Sequence, residues 1–263
     1  MKRILCLVLA TALSVCMGYA AHAQGDLRGY GVILMHGKFG TAGAFLGGLK
    51  SALEKEGAIV ITPEMPWSLH RIYDASYEDA MLEIDRAVQE AQQRGATKIV
   101  VGGHSMGANA ALGYAARREG LAAVVTLAPG HPTDTSFMRF TTSGGLSRAK
   151  EMIAAGKGDV KAVFPDTAQG VPYPVRTTAN IYASLFDPDG ASSMPRNAAA
   201  MGPVPLMWVV GIADPIFFKG REYAFDLGAK NPKSKYLEIA GTHMTTPFQA
   251  RHAVVEWLKS LND

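Results

Sequence analysis

Cysteine is nearly missing from this chain: of 263 residues only Cys6 and Cys16 are of that type, and both lie close to the amino terminus. Whatever follows that stretch forms no disulfide, so its stability must come from a packed core. An excess of one charge is missing too. The chain carries 26 lysines and arginines against 23 aspartates and glutamates, and without Lys2 and Arg3 the basic count falls to 24. Such neutrality leaves no electrostatic footprint for nucleic acid or an anionic surface. Beyond residue 17 no run approaches the roughly 18 apolar residues of a membrane span. Internal repeats, low-complexity tracts and charge runs are also lacking. His70 and His131 have no partner at metal-ligand spacing, and the glycines around residues 102–107 fail the dinucleotide pattern, whose third position is glycine. Neither a metal nor a cofactor is expected.

What is present begins with Met1-Lys2-Arg3, an apolar run from Ile4 to Met17, and Ala21-His22-Ala23 ahead of the polar Gln24-Gly25-Asp26. That is the layout of a cleavable secretory signal. Cleavage after Ala23 would leave a domain of residues 24–263, periplasmic or secreted, with no stable membrane insertion. Val15 stands before Cys16 where a lipid-attachment signal wants a small residue, so lipidation is not expected.

The most informative segment is Gly103-His104-Ser105-Met106-Gly107, directly after the apolar run Lys98 to Gly102. With 28 glycines and 13 serines in the chain, a G-x-S-x-G match arises by chance about 0.14 times, so its context must carry the argument. Ala108 to Arg118 is rich in helix formers and Gly120 stands where a stop belongs. A serine on a sharp strand-to-helix turn has its hydroxyl held out at the sheet edge, and side chains at 103 or 107 would collide there. Ser105 is the expected nucleophile.

Short β-type runs, rich in valine and isoleucine, occur at Tyr30 to Met35, Ala58 to Thr62, Lys98 to Gly102, Ala122 to Leu127, Leu206 to Val210 and Lys235 to Ile239. Helical patterns lie between and after them, at Phe45 to Glu56, Tyr77 to Arg94, Ser105 to Arg118, Ile216 to Leu227 and Pro247 to Leu261. This alternation predicts an α/β fold, doubly wound, with a mostly parallel sheet of about six strands. From Pro129 to Pro205 no strand is convincing, and that interval is too long for an ordinary connection.

With these elements in place the chain resembles the α/β-hydrolase superfamily, from Tyr30 to Leu261. The resemblance implies a triad in the chain order nucleophile, acid, histidine. Ser105 is followed by Asp214 in Val210-Gly211-Ile212-Ala213-Asp214-Pro215 and by His243 in Ala240-Gly241-Thr242-His243-Met244. Asp134, after the strand ending at Leu127, is the rival acid, and Asp214 before Pro215 also suits a helix cap. The resemblance implies a cap formed by the insertion, about residues 130–204. An oxyanion hole needs two backbone amides already in place. One is that of Met106; the other, by resemblance, belongs to the loop Met35-His36-Gly37-Lys38-Phe39-Gly40, at Lys38 with Phe39 as the near alternative. The Lys38 side chain reads as a solvated charge. His36 reads as a support of that loop, and His104, adjacent to the nucleophile, cannot be its base. One departure from the family is visible: the first two antiparallel strands of its larger members have no counterpart before Tyr30.

The resulting expectation is a serine hydrolase acting on a small-molecule carboxylic ester, most of whose triad chemistry would also serve a thioesterase, lactonase or acyltransferase. A binding protein that keeps the fold without turnover is the alternative of a different class. Phe39 and the insertion's Phe137, Phe140, Phe164, Tyr173, Tyr182 and Phe186 are expected to line an apolar acyl pocket; the insertion's rings could instead form its own small core.

Overall fold

The computed structural model describes residues 26–168, 170–216 and 221–262; the expected signal at residues 1–23 lies outside them. Strand β1 (Tyr30–Met35) leads to helix α1 (Gly47–Lys55), β2 (Ile59–Ile61), α2 (Tyr77–Gln93), β3 (Lys98–Ser105), α3 (Met106–Ala115) and β4 (Leu121–Pro129). An insertion follows, with α4 (Ser136–Ala154), β5 (Lys161–Phe164), β6 (Thr167–Ala168), β7 (Val171–Pro172), β8 (Val175–Thr178), α5 (Ala179–Phe186) and α6 (Met194–Ala200). The chain then returns through β9 (Leu206–Gly211), a 3-10 turn at Arg221–Tyr223, α7 (Phe225–Gly228), β10 (Lys235–Ile239), α8 (Thr246–Gln249) and α9 (Arg251–Lys259).

Six strands form one sheet in the order β10-β9-β4-β3-β1-β2, and each neighbouring pair is parallel. Strands covered on both faces must be apolar throughout, which is why they read as continuous Val and Ile runs. Their side chains alternate between two cores. Ile33, Met35, Val101 and Val124 pack under α2, α3 and the insertion, while Val32, Leu34, Val100 and Val125 pack under α1 and α9. Helix α2 starts where it does because Ser76 and Asp79 close a capping box, and its buried Ala80, Ile84, Ala87 and Ala91 recur at helical spacing.

The strand order also fixes where a ligand can sit. From β1 the chain moves outward to β2, then crosses back to β3 on the other side of β1. The loops leaving the carboxyl ends of β1 and β3 therefore diverge and leave a crevice between them.

Three expectations need correction. The insertion does contain strands: β5 pairs with β8 and β6 with β7, both antiparallel. A two-residue ladder has no readable period, and in β5 only Phe164 is buried, so the usual signal is missing. The helix expected at Ile216 to Leu227 is reduced, over its described residues, to the 3-10 turn and the four-residue α7. The last helix is divided at Ala250 into α8 and α9. Among the described residues no helix is long and apolar enough to cross a membrane.

Candidate active site

Ser105 ends β3 with φ 56° and ψ −118°, in the left-handed half of the map that a residue with a side chain avoids. Surrounding contacts hold it there. A Cβ on Gly103 would stand 2.5 Å from the Met35 carbonyl oxygen and 2.6 Å from the Gly107 carbonyl carbon, and one on Gly107 would overlap the Met35 carbonyl. Strand, turn and helix meet more tightly than any side chain allows. Gly130, immediately after β4, is equally close: a Cβ there would lie 2.5 Å from Ser105 Oγ. Among the described residues Ser105 Oγ has no hydrogen-bond partner, and it opens into a cavity of about 850 Å³.

His243 lines the same cavity from the turn after β10. Its Nδ1–H donates to Asp214 Oδ2 at 2.8 Å, and both side chains are buried. The other carboxylate oxygen, Oδ1, accepts from Ile216 N–H at 2.8 Å, so the turn that Asp214 opens also fixes its orientation. The loops that carry the two residues are laced together. Ile212 N–H donates to Ile239 O at 2.9 Å and Ala213 N–H to Gly241 O at 3.0 Å. Asp134 accepts instead from Tyr223 OH at 2.6 Å. His104 contributes from beneath: its Nε2–H donates to the His243 carbonyl at 2.8 Å, with the two rings 4.8 Å apart. Burial, reinforced by the neighbouring His243, pushes the His104 imidazole down to about 3, so it is a neutral donor.

The loop after β1 lies against the nucleophile, since a Cβ on Gly37 would be 3.0 Å from Ser105 Cβ. His36 organises it. Its Nδ1–H donates to Gly37 O at 2.8 Å, its Nε2 accepts from Met65 N–H at 3.0 Å, and its carbonyl accepts from Trp67 Nε1–H at 2.8 Å. Burial lowers the pKa of this ring as well, consistent with a single neutral tautomer that donates at one nitrogen and accepts at the other. Phe39 N–H is spent on Trp67 O at 2.8 Å and Gly40 N–H on Gly37 O at 3.1 Å. Lys38 N–H has no acceptor among the described residues. Met106 heads α3, where first-turn amides have no intrahelical partner.

The Lys38 side chain is not the solvated charge expected of it. It is only 12% exposed, and Nζ donates to Asp166 Oδ1 at 2.7 Å. The expected pocket aromatics divide. Phe39 and Phe137 line the cavity, together with Phe45, Met138, Ile216 and Met244. Phe140 does not: it is 88% exposed on the outer face of α4. Tyr182 is absent from the cavity too. It is fully buried, stacked between Phe164 at 4.4 Å and Phe186 at 4.3 Å, with its hydroxyl on Pro165 O at 2.7 Å. Those three rings join the core on the α2 and α3 face of the sheet, Phe186 meeting Tyr73 at 5.7 Å, while Tyr173 packs on Phe39 at 4.3 Å.

Sequence reasoning missed Gly130, the tie from His104 to His243, and the buried Asp166. No local pattern marks them, because each acts on a residue far away along the chain. Among the described residues no group of three or more His, Cys, Asp or Glu could hold a metal ion.

The fold has counterparts among solved structures. Similar folds include a monoacylglycerol lipase from Paleococcus ferrophilus (22% identity, TM-score 0.63, 88% of this chain and 94% of that one). Est1E from Butyrivibrio proteoclasticus is another, at 18% identity and TM-score 0.57 over 89% of this chain and 86% of that one. The thioesterase domain from the curacin biosynthetic pathway is a third, at 16% identity and TM-score 0.56 over 87% of this chain and 90% of that one. At such identities the likeness is one of fold. No curated sequence matches the chain. A family model does, over residues 26–257, and by that match the chain belongs to the alpha/beta hydrolase family.

Proposed function

We propose that the protein is a serine hydrolase that cleaves an uncharged, modest-sized carboxylic ester. Ser105 Oγ attacks the acyl carbon and its proton passes to His243 Nε2; the resulting imidazolium returns the proton to the leaving alcohol. Water, deprotonated by His243, then attacks the acyl-enzyme and releases the acid and Ser105. Asp214 holds the imidazole in the tautomer whose Nε2 can accept. The amides of Lys38 and Met106 receive the oxyanion. The contact from Ser105 Oγ to the His243 ring forms on substrate binding, as such contacts often tighten only in the complex.

The observation that carries this reading is the pairing of a strained Ser105 with an Asp214-held His243 on the wall of one cavity. The insertion serves as its cap, with Phe137 and Met138 of α4 facing the acyl chain. We further propose that the chain is exported, in which case the amino terminus of the protein recovered from its source cells is Gln24.

A fluorophosphonate probe tests the chemistry: the purified protein should be labelled at Ser105, and Ser105→Ala should not. A panel of activated esters of increasing acyl length, run beside the corresponding thioesters, identifies the preferred acyl compound. Faster turnover of the thioesters would reassign the substrate class, and an unlabelled, inactive protein would remove the hydrolase reading altogether.

A further inference from the structure

We propose that Lys38 and Asp166 are a positioning pair, through which the insertion holds the oxyanion loop in register with Ser105; this rests on the serine-hydrolase reading above. Lys38 is the one residue between Gly37 and Gly40 that combines a free amide with a side chain anchored outside the loop. Its ammonium is taken up by Asp166 Oδ1 at 2.7 Å and Thr167 O at 3.2 Å, above the Phe186 ring at 5.5 Å. What Lys38 offers to the substrate is therefore its N–H and not its charge.

Asp166 is built to receive it. It is 1% exposed, and besides Lys38 its Oδ1 accepts from Thr167 N–H at 2.7 Å while its Oδ2 accepts from Tyr73 OH at 2.8 Å. Burial raises the Tyr73 pKa well above that of a free phenol, with the Asp166 charge acting in the same direction, so the hydroxyl stays a donor. The next loop residue is tied to the same region, with the Phe39 ring 4.3 Å from Tyr173 and 5.8 Å from Tyr73. A buried ion pair is weak support for stability, because an apolar pair of similar volume often does as well. It is effective at fixing orientation, since the ammonium and a carboxylate with three donors leave Lys38 little rotational freedom. Oxyanion donors must be placed to within a fraction of an ångström, so a device that orients the Lys38 peptide acts directly on the rate.

The test compares the parent with Asp166→Asn, Asp166→Glu and the double variant Lys38→Met plus Asp166→Leu, which removes both charges together. Three quantities are measured on folded protein: kcat and KM on one activated ester, the affinity for a trifluoromethyl ketone, and Tm. The double variant should fold, lose about 10-fold or more in kcat, keep KM within about 2-fold, and bind the ketone more weakly by the same factor as kcat/KM; loss of a whole oxyanion donor would cost about 10² to 10³. Asp166→Asn should show a smaller loss of the same kind, and Asp166→Glu should recover most of it. Should the double variant not fold, the Asn and Glu variants carry the comparison by themselves. A folded variant that lacks the ion pair yet keeps the parent kcat and ketone affinity overturns the proposal. So does a rate loss fully accounted for by a lower folded fraction. If the parent is neither labelled by a fluorophosphonate nor active, the hydrolase reading fails and this role fails with it; a labelled parent with an unaffected variant sinks the pair alone.

Discussion

At the scale of single residues, Ser105 occupies a conformation that costs free energy and that two glycine contacts enforce. Its hydroxyl does little for packing, because it faces a cavity. Ser105→Ala should therefore leave Tm within a few degrees while turnover falls on the order of 10⁶-fold. The two candidate acids are separable in the same assay. Asp214→Asn should lower kcat by roughly 10⁴ by favouring the wrong tautomer of His243. Asp134→Asn removes only a partner of Tyr223 and should leave kcat within a few fold. The opposite result on one activated ester would mean that Asp134 is the acid. Proton traffic at the site should be simple as well. Burial lowers His36, takes His104 down to about 3 and His131 to about 4, with Lys38 adding to the effect on His131. These rings are neutral over the working range and add no step of their own, so the rate should rise with pH along one sigmoid, as expected of a single general base. Two resolved steps on the acid limb would require a second titrating group.

At the scale of elements, the insertion does two things with its aromatic residues. Phe164, Tyr182 and Phe186 stack into the core on one face of the sheet, and Tyr182→Ala should destabilise the fold by about 3–5 kcal/mol, the usual loss for a buried aromatic. Helix α4, begun by a Thr135 cap on Met138 N–H, sends Phe137 to the cavity and Phe140 outward. Phe137→Ala should thus shift the preference between short and long acyl esters, and Phe140→Ala should not. Equal chain-length profiles for both variants and the parent would place selectivity elsewhere. Loop ends matter as much as helices. Gly130→Ala would press a methyl against Ser105 Oγ and should lower kcat with little change in Tm.

At the scale of the whole molecule, two cores on opposite faces of one parallel sheet carry the stability, without a disulfide in the described residues. Buried histidines make that stability sensitive to acid. Unfolded, the His104 and His131 imidazoles bind protons near pH 6.5. In the fold they do so only near 3 and 4. Between those values the unfolded chain holds more protons, so stability rises with pH and is lost as pH falls from about 6.5. Tm should drop between pH 7 and pH 4.5, and replacing His104 and His131 by Gln should shrink the drop. A Tm that stays level over that interval in the parent would contradict this.

Sequence alone determined the six-stranded order of elements, because strands buried on both faces and amphipathic helices each impose a period that survives in a linear string. It determined the Ser105 turn for the same reason: the glycines needed by a tight crossing lie within two residues of the serine. The short strands of the insertion were not legible, since β6 and β7 have two residues each and no period to read. What only the tertiary structure decided are contacts between residues distant in the chain. Asp214 meets His243 across 29 residues, Lys38 meets Asp166 across 128, and His104 meets the His243 carbonyl across 139. Lys38 reads as a surface charge until its partner is known, and Tyr182 as a pocket ring until its stack is known. A side chain's type limits what it can bond, but its neighbour is chosen by where the sheet brings the loops together.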